Sequence, residues 1–188
     1  MVEQYKSEIL RADYVILVSK QPKDFLTEMI TFCYENSIPT SLTISHKKFD
    51  IEQDRDLLKK VTVIAGNFEE SGWLTHKTTL EEMLTLLPNM MITKGAEGVW
   101  FCDEHGTICH EKAVPVEEVV EANGAGDTFI GNFVVFRSEG RPLKESIHRG
   151  MCASAIEIGR MGVVNAMPLR EETEALYQEK SKDFFSCN

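Results

Sequence analysis

The stretch YVILVSKQPKDFLTEMITFCYEN, residues 14–36, decides the fold class. Tyr14 to Ser19 is a continuous apolar run of strand length. Pro22 to Asn36 then carries Phe25, Leu26, Met29, Ile30 and Cys33 at helical spacing, which reads as a strand followed by an amphipathic helix. The alternation continues outward. Ser41 to Ile44 and Val61 to Ala65 are two more short β-rich runs, separated by a helix predicted over Ile51 to Lys60 with Asp50 as its cap. Thr79 to Leu87 reads as another helix and Asn89 to Thr93 as another strand. Strands separated by helices of this length imply right-handed crossovers and a mostly parallel sheet covered by helices on both faces, so the fold class is α/β.

From Val99 to Val114 the pattern becomes a β-hairpin: VWFC, turn residues Asp103 to Gly106, then TICHEKAV. After Asn123 the chain reads as helical over Gly124 to Ser138, Leu143 to Ile158 and Leu169 to Lys180. No repeat, low-complexity tract or linker divides the chain, so residues 1–188 are expected to form a single α/β domain.

Bulk composition narrows the function. A formal net charge of −10 argues against nucleic acid as a partner, because such binding relies on Lys and Arg neutralising phosphates. Any phosphate site must therefore be local, built from backbone amides and a metal ion. The five cysteines are odd in number and form no CxxC pair, which disfavours a disulfide framework and fits a cytoplasmic setting. The apolar run Tyr14 to Val18 is too short to span a membrane and lacks a signal-peptide flank. Cys187 is second from the end and is not placed for prenylation.

The stretch VEANGAGDTFIGNF, residues 120–133, carries the chemistry. It is no P-loop, since Asp127 and Thr128 stand where lysine is required. A Rossmann loop fails as well, because Phe129 holds the position of the third, small residue. A plain helix start would explain Asp127, whose charge suits the first turn by roughly 0.3–1 kcal/mol. It would not explain Gly124 and Gly126, each of which costs up to about 1 kcal/mol relative to alanine unless bare backbone is needed. Free N–H groups at such a helix start bind phosphate oxygens, and an acid beside them can accept a hydroxyl proton. On this segment alone both readings stay open.

Two further segments bear on the choice. TKGAEG, residues 93–98, leaves a strand with Thr93, Lys94, Gly95 and Gly98, but any tight turn wants glycine. NFEE, residues 67–70, places Asn67 and Glu70 one helical turn apart, suited either to one hydrated magnesium ion or to an ordinary helix cap.

Taken together and in this order, the three segments resemble the ribokinase-like (PfkB) family of carbohydrate kinases. The resemblance implies an ATP-dependent kinase that transfers the γ-phosphoryl group to a sugar or nucleoside hydroxyl. Asn67 and Glu70 would organise Mg2+ and phosphates, with Glu70 acting indirectly. Thr93, Lys94, Gly95 and Gly98 would lie along the nucleotide. Gly124, Ala125, Gly126 and Asp127 would form the anion hole and its catalytic base. ASAIEIGRMGVVNAMP, residues 153–168, looks like the family's penultimate helix and following loop. The likeness runs from about Ala12 to Leu176.

Two departures qualify it. The usual Asp-Thr-x-Gly-Ala-Gly-Asp is here Glu121, Ala122, Asn123 and onward. Glu121 and Asn123 take the positions associated with a monovalent cation, but the longer acid and the missing hydroxyl count against activation by one. Nothing upstream of Ala12 supplies the family's N-terminal strands, sugar contacts and lid, so the chain looks like the nucleotide-side part of a kinase. An exposed sheet edge would then invite a homo-oligomer or a complementing chain. The alternative is a catalytically inactive nucleotide-binding or interaction module.

The remaining candidates read as structural. Cys102, His105, Cys109 and His110 surround the hairpin turn, but adjacent Cys109 and His110 point to opposite faces, which disfavours zinc. His105 reads as a turn tip. Cys33, Cys152 and the methionines at 83, 90, 91, 151, 161 and 167 read as packing. Glu117 to Glu121 and Glu171 to Glu174 read as solvated faces.

Overall fold

A computed structural model describes residues 2–183; Cys187 lies outside the described residues. The chain forms two compact units: one of residues up to Gly95 together with Val99–His110, the other of Ala96–Gly98 with residues from Glu111 onward.

The first unit is built on a six-stranded sheet in sequential order: β1 (Val15–Val18), β2 (Thr40–Thr43), β3 (Val63–Asn67), β4 (Met90–Thr93), β5 (Val99–Cys102) and β6 (Ile108–Glu111). β1 to β4 are parallel and β5 runs antiparallel to β4. The helices of this unit are α1 (Lys6–Ile9), α2 (Lys23–Glu35), α3 (Ile51–Leu58), α4 (Phe68–Thr75) and α5 (Leu80–Leu86).

The strand interiors explain the order of the sheet. Leu17, Leu42, Ile64 and Met90 are successive register partners across β1 to β4, and all are buried. Each contributes roughly 1.5–3 kcal/mol by leaving water. They form one core with Leu26, Ile30 and Cys33 of α2, Leu58 of α3, Leu74 of α4 and Met83 and Leu84 of α5. Side chains alternate along a strand, so Ala65, Met91 and Phe101 point to the opposite face, and they too are buried. The unbroken apolar runs read from the sequence are thus strands of a sheet buried on both faces.

Local chemistry sets the boundaries. Asp50 caps α3 as expected, its side chain accepting from Glu52 N at 2.8 Å, and Thr79 caps α5. Asp103 closes the hairpin turn by accepting from the amides of His105 and Thr107, which leaves His105 exposed at its tip. The chain ahead of Ala12 is not structureless: Val2–Tyr5 forms a 3-10 turn leading into α1, and Val2 is part of the core. Its four-residue helix is too short for a periodicity to show.

The second unit contains α6 (Ala125–Ser138), α7 (Leu143–Ile158) and α8 (Arg170–Asp183). Phe129 of α6 rests on Gly150 of α7, where an added Cβ would lie 2.9 Å from the Phe129 ring and carbonyl. Arg149 is buried, pairs with Glu145 and Glu174, and stacks over Tyr177 at 3.8 Å. Two of the methionines read as packing are not: Met161 is 75% exposed and Met167 40%, because both sit in the irregular segment after α7. The acidic stretch 171–174 is not purely a solvated face either, since Glu172 pairs with Arg160 and Glu174 with Arg149.

Within the second unit a buried ion pair joins Glu111 to α7. Glu111 lies 3.0 Å from His148 Nε2 and 3.2 Å from Lys144 Nζ. Burial alone would push its carboxyl up, but the hydrogen bond and charge of His148, followed by Lys144, outweigh this and hold it below the usual carboxylate range. A depressed folded-state pKa contributes stability that is complete above the unfolded carboxylate value of about 4.3 and is lost as pH falls through the lower folded value. In urea titrations across that acid range, Glu111→Gln should be less stable than the parent near neutral pH and should lose less stability on acidification. Parallel acid slopes for the two proteins would contradict the assignment.

Candidate functional site

In the first unit the predicted residues gather at the carboxyl ends of neighbouring parallel strands, where open α/β sheets hold ligands. Asn67 ends β3 and Thr93 ends β4, and the two are register partners. Asn67 is also the first cap of α4. Its Oδ1 accepts from Glu70 N at 2.9 Å while Glu70 Oε2 accepts from Asn67 N at 2.8 Å, a complete capping box. Lys94 extends its ammonium over the Phe68 ring at 5.2 Å, next to Asn67. Gly95 follows at the start of a 3-10 turn.

The capping box fixes both side chains and leaves a second oxygen on Glu70. Glu70 Oε1 and Asn67 Nδ2 make no hydrogen bond among the described residues. A half-buried carboxylate held rigid with one oxygen open suits a hydrated magnesium ion, which keeps most of its waters.

In the second unit, Gly98 has a structural reason to be glycine: φ is +102°, and an added Cβ would lie 2.1 Å from Glu111 O. Gly124 caps α6 in the left-handed region with φ 98° and with no side-chain hydrogen bond onto the helix. A Cβ there would also meet Val163 Cγ1 at 2.8 Å and Glu157 Oε1 at 3.0 Å. Gly126 differs from both. It is exposed and helical, and a Cβ on it would meet nothing within 4 Å.

The first turn of α6 is therefore bare. Thr128 N makes the first intrahelical bond, to Gly124 O at 2.8 Å, and Ala125 N reaches only Ala122 O at 3.5 Å. The amides of Gly126 and Asp127 have no acceptor among the described residues. Asp127 is exposed, and its carboxylate likewise has no partner among them. Ser154 of α7 donates to Ala125 O and so fixes the turn through its carbonyl side.

The segment leading into α6 is held by Glu121. Its Oε2 accepts from Gly162 N at 2.9 Å and its Oε1 from Asn123 Nδ2 at 3.1 Å, which ties residues 121–123 to the loop after α7. These bonds, with the hydrogen bond from Gly162 foremost, hold the Glu121 carboxyl below its ordinary value. Glu121 is thus already in contact with two donors. Nearby, Glu157 of α7 is fully buried, and neither of its oxygens has a hydrogen-bond partner.

Glu157 and Ser154 escaped the sequence reading. The signal was a polar pair on the small-residue stripe Gly150, Ala153, Ser154 and Glu157, whose i, i+3, i+4, i+7 spacing faces one neighbour. The other thiols do no chemistry here: burial pushes Cys33 up and Cys152 up to about 12, as core residues.

Comparison with known proteins shows the family and the fold. The chain matches the pfkB family carbohydrate kinase over residues 2–170, a likeness that begins earlier than Ala12. It is 26% identical over 170 residues to a ribokinase of Bacillus subtilis, covering 90% of this chain and 56% of the relative. To a ribokinase of Lactococcus lactis it is 30% identical over 173 residues, covering 92% and 56%. The chain thus spans little more than half the length of these curated relatives. Among solved structures, Arabidopsis thaliana ribokinase complexed with ribose and ATP superposes with a TM-score of 0.85 at 21% identity, covering 95% of this chain and 60% of that one. A Burkholderia thailandensis nucleoside kinase in complex with inosine gives 0.76 at 21% identity, covering 95% and 61%. No helix among the described residues is long and apolar enough to cross a membrane. With a partial ribokinase fold and a family match that spans most of its length, the chain belongs to the pfkB family of carbohydrate kinases.

Proposed function

We propose that this chain provides the nucleotide-side machinery of an ATP-dependent carbohydrate kinase, transferring the γ-phosphoryl group to a hydroxyl of a sugar or nucleoside. The observation that carries this reading is the uncapped first turn of α6 with an exposed, unpartnered Asp127 inside it. Gly126 sharpens it. Neither its φ nor its neighbours require glycine, so bare peptide is kept at a cost of up to about 1 kcal/mol of helix stability.

In the reaction, a lone pair of the acceptor hydroxyl forms the bond to the γ-phosphorus as the bond to the bridging oxygen of ADP breaks. Asp127 takes the hydroxyl proton. The amides of Gly124 to Asp127 face the charge on the moving phosphoryl group and need no rearrangement to do so. In the first unit, Asn67 and Glu70 would orient phosphates and a hydrated Mg2+, while Thr93, Lys94 and Gly95, and Gly98 of the second unit, would line the nucleotide's path. Magnesium, when bound, neutralises charge on the β- and γ-oxygens. Both units are taken as parts of one catalytic domain working in the cytoplasm, and the net charge of −10 disfavours nucleic acid as the acceptor.

A second reading is favoured by the chain's coverage of 56% of its curated relatives: a nucleotide-binding module without turnover, or one that needs a complementing chain or a second copy to supply the acceptor side. Purified protein with ATP, magnesium and a panel of sugars and nucleosides separates the two. Under the kinase reading, ADP release exceeds that of Asp127→Asn by about 100- to 10,000-fold, while ATP affinity is nearly equal in the two proteins. Equal turnover would remove Asp127 from the base role. Silence across the panel with ATP still bound would favour the module.

Gly126→Ala tests the anion hole separately. The substitution should raise thermal stability, by up to about 1 kcal/mol, and weaken ATP binding in calorimetry. A stabilised protein with unchanged ATP affinity would reduce the glycine to a helix-start residue.

A further inference from the structure

The carboxyl ends of β1 and β2 carry positive charge that no motif in the sequence explained. In a chain with 30 acidic residues and a net charge of −10, residues 14–23 and 36–49 contain no acid, and they hold Lys20, His46, Lys47 and Lys48. The two loops are built as one piece. The buried Ser19 Oγ accepts from Ser45 N at 2.8 Å and from His46 N at 3.0 Å, which clips the loop after β2 to the end of β1. Lys48 reaches back and donates to Lys20 O at 2.8 Å and to Gln21 O at 2.6 Å. Lys47 extends its ammonium over the Trp73 ring at 4.6 Å. Trp73 is three residues beyond Glu70 on α4, its neighbour on the helix surface.

Carbonyls and an aromatic ring orient an ammonium without cancelling its charge. Lys20, Lys47 and Lys48 make no ion pair among the described residues. The acids that follow the two stretches are engaged elsewhere: Asp24 stands in the first turn of α2, and Asp50 caps α3 and lies 2.9 Å from His76 Nε2. Asp54 pairs with Lys23 at 2.8 Å. Like charges gathered by fixed contacts repel one another, and an anion between them relieves that repulsion. Position gives such an anion a place in the reaction. β1 to β4 are parallel and sequential, so the two loops lie beside Asn67 at the end of β3, on the side away from Thr93 at the end of β4. With the nucleotide's phosphates at the ends of β3 and β4, the ends of β1 and β2 fall to the acceptor.

We propose that these two loops bind the acceptor and that it carries a phosphate monoester, held by the ammonium groups of Lys20, Lys47 and Lys48. A neutral sugar or nucleoside makes no use of three cations. A single carboxylate satisfies fewer of them than a phosphate ester, which brings nearly two negative charges and three acceptor oxygens. The ester is a handle and takes no part in the transfer; the γ-phosphoryl group still goes to a hydroxyl. Its role as acceptor rests on the kinase reading proposed above, whereas the binding needs neither ATP nor turnover.

Calorimetric titration of the full chain without nucleotide tests it, comparing ribose 5-phosphate, fructose 6-phosphate and glucose 6-phosphate with the parent sugars, gluconate and inorganic phosphate. At least one sugar phosphate should bind about 100-fold more tightly than its parent sugar, and less tightly as potassium chloride is raised. Lys20→Gln and Lys47→Gln, both at exposed positions, should each weaken that binding by about 10-fold and leave ATP affinity unchanged. No binding, binding equal to that of the parent sugar, or unchanged affinity in both variants would overturn the proposal. Inorganic phosphate held as tightly as every ester would remove the acceptor role, and gluconate held more tightly than every ester would remove the ester. Failure of the kinase reading shows elsewhere, as Asp127→Asn with full turnover, and leaves this binding intact.

Discussion

Peptide N–H groups without acceptors govern the second unit. A helix necessarily leaves its first amides unpaired, and most helices satisfy them with a side-chain cap, as Asp50, Asn67 and Thr79 do elsewhere in this chain. At α6 the chain does the opposite. Gly124 brings no capping group, Ala125 and Gly126 bring almost no side chain, and the helix dipole adds partial positive charge at the same place. Such an arrangement leaves donors that an anion placed there would complete.

The surroundings of that turn can be understood as support for it. Ser154 anchors the turn through Ala125 O, Phe129 seats α6 on Gly150, and Glu121 binds the approach segment to Gly162. Glu157, buried and without a hydrogen-bond partner, crowds the position of a side chain on Gly124. In the first unit a sheet buried on both faces gives Asn67 and Thr93 a rigid, adjacent placement, and the capping box immobilises Glu70. Rigid positioning of this kind contributes much of the rate in phosphoryl transfer, where the protein does little covalent chemistry.

Much of the fold was legible because its signals are local. The run Tyr14 to Ser19, the stripe Phe25 to Cys33 and the cap Asp50 each depend on neighbours within a turn or two, and the structure places them as read. At Gly124 and Gly126 the reading rested on bare backbone, and the first turn of α6 is indeed without a side-chain cap. What escaped depends on contacts distant in sequence. Asn67 and Glu70 could be read as a cap or as a metal group, and the capping box shows that the cap is real without displacing the other role. Met161 and Met167 looked like core because methionine in an apolar segment usually is, yet the segment is irregular and leaves them exposed. Glu157 drew no reading from the sequence; only the packing of α7 shows that it is buried.

The most direct measurement of the central claim follows the amide resonances of α6 by NMR as nucleotide is added. ATP with magnesium should shift Gly126 and Asp127 strongly, ADP less so and adenosine hardly at all, because the terminal phosphates are what those amides hold. Resonances that stay in place with ATP, or that respond equally to adenosine, would contradict the account.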